Sequence, residues 1–106
     1  MVMTFVFATD DRSLSVFPTD AAACGHAEGI DVGDGLYLFF DDTGRPLAPV
    51  FLSPNKRGWL TVRSGTYRLE PQDSGSSPLV EILSRVSLVE GELTSLDAVR
   101  EHLTRR

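Results

Sequence analysis

The stretch "YLFFDDTGRPLAPVF", Tyr37 to Phe51, decides the fold. Leu36 to Phe40 is an almost wholly apolar run, the pattern of a central strand buried on both faces. Asp41-Asp42-Thr43-Gly44 supplies an aspartate where a turn begins and a glycine where the backbone needs positive φ. Leu47 to Leu52 then returns as the partner strand. Pro46 and Pro49 lack amide donors, so this second strand is expected to be irregular or to lie at an edge of the sheet at its start. The adjacent carboxylates admit a second reading, because two close acids drive each other's protonation apart and can serve as acid and base. Neighbouring residues of an extended strand point to opposite faces, however, so a shared proton would need the turn itself to fold them together.

Working outward from this hairpin, Thr4 to Ala8 is rich in β-branched and aromatic residues. Asp10-Asp11-Arg12 turns the chain, and Ser13 to Phe17 alternates polar and apolar, which predicts a first β-hairpin. Pro18 ends it. Thr19 can cap a helix from Asp20 to about Glu28, with Gly29 stopping it and Gly33-Asp34-Gly35 turning into the central strand. On the other side, Ser53 to Gly58 reads as a loop, and Trp59 to Val62 and Thr66 to Leu69 as a second hairpin ladder around Arg63-Ser64-Gly65. "PQDSGSSP" leads from sheet to helix. Ser77 is expected to cap a helix with Pro78 at its first position, and Leu79, Ile82, Leu83 and Val86 share one face. Thr94-x-x-Asp97 resembles a capping box for a last helix whose Leu96, Val99 and Leu103 share a face.

The resulting order is ββαββββαα. It predicts a single α+β domain over residues 1–106, with a mainly antiparallel sheet of five to six strands and two to three helices gathered on one side. A chain of 106 residues, 42% hydrophobic and 24% charged, has room for one ordinary core and not two. No run approaches the roughly 20 apolar residues a membrane span needs. The apolar start "MVMTFVFA" lacks a basic flank and reads as a strand rather than a leader. Cys24 is the sole cysteine, so a disulfide framework and a cysteine-rich zinc site are both excluded. These features lead us to expect a cytoplasmic protein without membrane attachment.

The net charge of −5 is uneven: residues 1–55 carry eight acids against Arg12 and Arg45, whereas residues 56–106 carry seven acids against eight bases. An acidic half repels phosphates and steers basic partners toward itself, which makes a polynucleotide a poor ligand for that half. Lys56, Arg57, Arg63 and Arg68, interleaved with Trp59 and Tyr67, form the alternative surface, since single strands are held by bases and stacking aromatics together. The plain reading of the same residues is a solvated hairpin over two core aromatics.

Catalytic patterns are scarce. Asp31-Val32-Gly33-Asp34-Gly35 starts like a calcium loop, but glycines stand at the third and fifth positions and Leu36 at the sixth, where two oxygen ligands and a glycine are required. The glycine turn is the simpler account. Cys24 and His26, two apart on a helix, project away from each other, so Cys24 reads as a small buried hydrophobe rather than an activated nucleophile. With His102 the only other histidine, no metal-binding or triad arrangement is offered. No enzyme, cofactor or metal is expected.

Glu28-Gly29-Ile30-Asp31-Val32, Phe39-Phe40-Asp41 and Gly44-Arg45-Pro46-Leu47 together resemble small bacterial immunity proteins of polymorphic toxin systems. The resemblance covers the middle third of the chain. It implies a non-catalytic, cytoplasmic binding protein that occludes the active site of a cognate toxin, often a basic nuclease. The expected contact residues are the acids Glu28, Asp31, Asp34, Asp41 and Asp42. The competing expectation is a regulatory or scaffold module that binds protein or single-stranded nucleic acid through Lys56, Arg57, Trp59, Arg63 and Arg68.

Overall fold

A computed structural model describes residues 3–53, 55–57, 62–63, 65–72 and 77–104. Its core is a six-stranded sheet in the order β7-β4-β3-β1-β2-β8. The strands are β1 (Thr4–Ala8), β2 (Ser13–Phe17), β3 (Tyr37–Phe40), β4 (Pro46–Phe51), β7 (Tyr67–Pro71) and β8 (Leu88–Gly91). Every pairing is antiparallel except β2 with β8, which is parallel. A separate two-stranded ladder joins β5 (Lys56–Arg57) to β6 (Val62–Arg63). The helices are α1 (Asp20–His26), α2 (Gly29–Gly33), α3 (Leu79–Ile82), extended by a 3-10 turn at Leu83–Arg85, and α4 (Leu96–Thr104). This is the α+β domain expected from the sequence.

The helices do not gather on one side. Phe5, Phe7, Leu14, Val16 and Phe40 point to one face and bury Leu79, Ile82, Leu83 and Val99 from α3, its 3-10 extension and α4. Val6, Phe39 and Leu47 point to the other face and bury Ala23, Ala27 and Val32 from α1 and α2. The reason lies in β1, where every residue from Thr4 to Phe7 is buried. A strand apolar on both sides exposes greasy surface unless both faces are covered. Alanines on α1 let its axis approach the sheet, as the small side chains suggest.

Three local expectations need correction. β4 is interior, between β3 and β7, despite its prolines. The carbonyl of Pro46 accepts from the Gln72 amide on the β7 side, so alternation turns Pro49 toward β3, whose ladder with β4 stops at Leu47. Pro49 thus stands where no β3 partner needs a donor, and Pro46 sits at the end of its ladder with β7, whose register stops at Leu47. Ser77 gives α3 no side-chain cap; Pro78 occupies the cap in an extended conformation, and the Leu79 amide instead donates to the Gly44 carbonyl, 2.8 Å away. The last helix is capped by Ser95, whose Oγ accepts from the Ala98 amide at 3.1 Å, rather than by Thr94. Thr19 caps α1 as expected, accepting from the Ala22 amide at 3.0 Å.

Three elements, α2, β5 and β8, have no counterpart in the sequence reading, and the expected hairpin of Trp59 to Val62 with Thr66 to Leu69 is replaced by pairing of Val62 with Arg57 and of β7 with β4. β8 fits against β2 through Gly91, which has a φ of 106° and lies so close to the Val16 backbone that a Cβ would collide with the Val16 carbonyl oxygen. A glycine is the residue that satisfies both conditions. The expected strand at Trp59 to Val62 falls largely outside the described residues.

Candidate functional site

β1 runs antiparallel to β3, so the turn between β1 and β2 meets the start of β3, whereas the start of β1 meets its end. This one fact sorts the acids of the first half into two groups. At the first end, the Thr9 amide donates to the Leu36 carbonyl at 2.9 Å and the Thr9 hydroxyl to the same oxygen at 3.1 Å. The two bonds tie the Asp10-Asp11 turn to the loop that carries Asp34 and Gly35. Tyr37 stands between them, half-buried, with its hydroxyl held above the ordinary tyrosine range by burial first, and then by the negative charges of Asp31, Asp10, Asp11 and Glu28. Acids from two separate segments thus act on one ring.

These carboxylates face water. Asp10 accepts from the Asp11 amide at 2.8 Å, and Asp11 accepts from the Ser13 hydroxyl at 2.7 Å and the Ser13 amide at 3.0 Å. Those bonds favour the charged form and hold the Asp11 carboxyl below its usual range, with the hydroxyl contributing most. Asp10, Asp11, Glu28 and Asp34 are exposed, and Asp31 is half-buried on α2.

At the other end Asp41 and Asp42 have different employment. Asp41 Oδ1 accepts from the Thr43 amide at 2.8 Å, the Thr43 hydroxyl at 2.6 Å and the Arg45 amide at 3.0 Å, closing the turn around Gly44 at a φ of 86°. Asp42 is buried. Its Oδ1 accepts from the Met3 amide at 2.9 Å and lies 2.9 Å from His102 Nε2 on α4. The side chain joins the N-terminal strand, the β3–β4 turn and the last helix. Four residues of β3, at about 3.3 Å each, separate this group from Asp31 and Asp34. The five acids expected to share a face therefore fall at opposite ends of β3, and Asp42 is turned inward.

Beside Tyr37, on the face that carries α1, a groove runs along β2. One part, about 270 Å³, is lined by Val6, Ala8, Asp10, Asp11, Ser13, Ser15, His26, Tyr37 and Glu90. A second part of about 250 Å³ shares Ser15, His26 and Glu90 and continues to Phe17 and Gly91. The His26 ring lies 5.1 Å from that of Phe17 and 6.3 Å from that of Tyr37, so three rings form one wall. Ser15, paired with Glu90 in register, donates to Glu90 Oε1 at 3.3 Å. Asp10, Asp11, His26, Tyr37 and Glu90 were not among the expected contact residues. The doublet of acids in the first hairpin turn was the available signal; Glu90 gave none, because it reaches the groove through a strand pairing 75 residues away in sequence.

Cys24 packs on the α1 face of the sheet, partly covered, and burial pushes its thiol up, which makes it a poor nucleophile. His26 points to the groove and Cys24 to the core, as their spacing on α1 requires. Tyr67, buried on the same face, donates its hydroxyl to the Ala27 carbonyl at 2.6 Å. Among the described residues, no three His, Cys, Asp or Glu side chains converge as a metal set, and no helix is long and apolar enough to cross a membrane.

The alternative basic surface is divided. The backbones of Lys56 and Arg63 pair across the β5–β6 ladder, with Arg57 opposite Val62. Arg68 instead stands on β7 of the main sheet, ion-paired to Glu70 at 2.5 Å. Trp59 lies outside the described residues. Comparisons of the chain with protein-family models, with curated proteins and with solved structures return no match.

Proposed function

We propose that the protein is a non-catalytic binding protein, an immunity protein that neutralises a basic bacterial toxin by covering its active site with the acidic end around Tyr37. One observation carries the choice of face: Asp10, Asp11, Glu28 and Asp31 all raise the titration of a single tyrosine, so their fields add at one place. Summed negative potential of this kind accelerates encounter with a basic cleft and selects against acidic partners. A ring beside the charges offers the anchor that such interfaces bury. The contact set in this reading is Asp10, Asp11, Glu28, Asp31 and Asp34. Asp41 and Asp42 drop out, since their carboxylates already serve the turn, Met3 and His102. The toxin class comes from the resemblance of the middle third of the chain; the basic character of the partner comes from the charge.

The test uses the product of the neighbouring reading frame as the partner. Calorimetric titration should show binding that weakens steeply between low and high salt. The double reversal Glu28→Lys with Asp31→Lys should raise the Kd by about tenfold or more, as expected when interface charges change sign. Unchanged affinity in the reversed variant would remove this face from the interface.

A further inference from the structure

The groove beside Tyr37 has a composition that its surroundings do not explain. It lies over β2 where the helical layer stops, and its floor is Ser15, a buried polar residue, with Ser13 beside it on the same face of the strand. Its wall is the run of rings Phe17, His26 and Tyr37. Its charged lining is Asp10, Asp11 and Glu90, with no lysine or arginine among the lining residues. Aromatic faces attract cations through their quadrupole, and carboxylates add charge-assisted hydrogen bonds. Both halves of the groove therefore select the same kind of ligand. A metal ion is disfavoured by the lack of three converging ligands among the described residues.

We propose that this groove seats an arginine side chain of the basic partner, its guanidinium lying against the rings of His26 and Tyr37 and donating to the Glu90 carboxylate. This rests on the acidic-face reading and names the group that the face recognises. A guanidinium is preferred to an ammonium because it is planar, stacks on rings and is less strongly hydrated. Glu90 suits the fork: Ser15 donates to Oε1 and so orients the carboxylate from below. The neighbouring acids Asp10 and Asp11, held in place by their turn hydrogen bonds, add negative charge to the groove.

The experiment needs no partner. The 15N-labelled full chain is titrated with N-acetyl-arginine amide, with its neutral isostere N-acetyl-citrulline amide, and with N-acetyl-lysine amide, while amide shifts are followed. The arginine probe should move the amides of Ser15, His26, Tyr37, Glu90 and Gly91 in a saturable way, and citrulline should leave them in place. Glu90→Gln, at an exposed position that leaves the fold intact, should weaken the arginine probe about fivefold or more, the scale of one charge-assisted contact. Tyr37→Leu should weaken it independently, with retained spectral dispersion as the folding control. Equal shifts from citrulline, equal affinity for lysine, or shifts confined to the Asp10-Asp11 turn would overturn the assignment. If the arginine probe fails while the Glu28/Asp31 reversal still weakens the partner, this inference falls alone; if the probe binds and the reversal does nothing, the acidic-face reading falls.

Discussion

The chain contains two aspartate doublets in two tight turns, and they have opposite fates. Asp10-Asp11 and Asp41-Asp42 each join neighbouring antiparallel strands, and in each turn an aspartate accepts from the amide and hydroxyl of the residue two positions on. Locally they are the same device. Yet Asp10 and Asp11 remain in solvent, whereas Asp42 is buried under α4 and beside the start of β1. The difference is what else arrives. At the first end the arriving segments bond to backbone, Thr9 to the Leu36 carbonyl and Ser87 to the Asp11 and Arg12 carbonyls; at the second, a backbone amide and an imidazole arrive and take up the carboxylate. A doublet of acids is thus a binding surface or a structural bolt according to the segments that close over it.

Removing the bolt gives the largest effect. Asp42→Ala leaves the Met3 amide without its acceptor and takes the carboxylate from His102, which keeps the Asp42 carbonyl 3.1 Å away, and should destabilise the protein by about 3 kcal/mol, the upper range for leaving a buried donor unsatisfied. For a domain of this size that lowers Tm by roughly 12 °C or more, readable by calorimetry. Asp10→Ala should change Tm little. If both variants lose equal stability, the two turns are not different in kind.

A second effect separates the ends electrostatically. Asp31→Asn should bring the Tyr37 hydroxyl down toward its ordinary range without reaching it, because burial is the larger cause and remains. Asp42→Asn, at the far end of β3, should leave Tyr37 where it is. Ultraviolet titration of the phenolate follows this, with Tyr67 as the internal reference. Burial also pushes Tyr67 above its ordinary value, so the folded state keeps its proton more tightly than the unfolded chain. Stability from this source is complete below about pH 10 and declines as pH rises above it.

The smallest effect concerns Asp11. Its folded carboxyl titrates below the unfolded value of 3.8, so its contribution is present above that pH and lost as pH falls through the lower folded value. Asp11→Asn should remove that acid-side dependence by lowering stability slightly at pH 7 and less at pH 3, the loss being small because the group is fully exposed. Chemical denaturation at pH 3 and at pH 7 measures both.

Much of the architecture was legible because it is local. Thr19 caps α1, Gly44 turns the β3–β4 hairpin, and Leu79, Ile82, Leu83 and Val86 are all buried as their spacing required. The unbroken apolar run of β1 also carried a signal for cover on both faces, and it outweighs the helix grouping inferred from element order. α2 was hidden by the glycines at both of its ends, and β8 by its weak pattern, since only Val89 of its four residues is buried. The candidate site was legible only in part: the acidity of the first half was plain, but Asp10 and Asp11 belong with Asp31, and Asp42 does not.

Residue order by itself determined most of the strand positions, the two aspartate turns, the Thr19 cap of α1 and the sign of the charge, because each depends on hydrogen bonds and periodicity within a few residues. Tertiary structure decided which acids share a surface, that prolines are tolerated in an interior strand, and that Glu90 faces His26 and Tyr37. Those outcomes follow from the antiparallel pairing of β1 with β3 and the parallel pairing of β2 with β8. Both pairings form to bury apolar side chains contributed by distant parts of the chain, and no local pattern records which distant strand will be chosen.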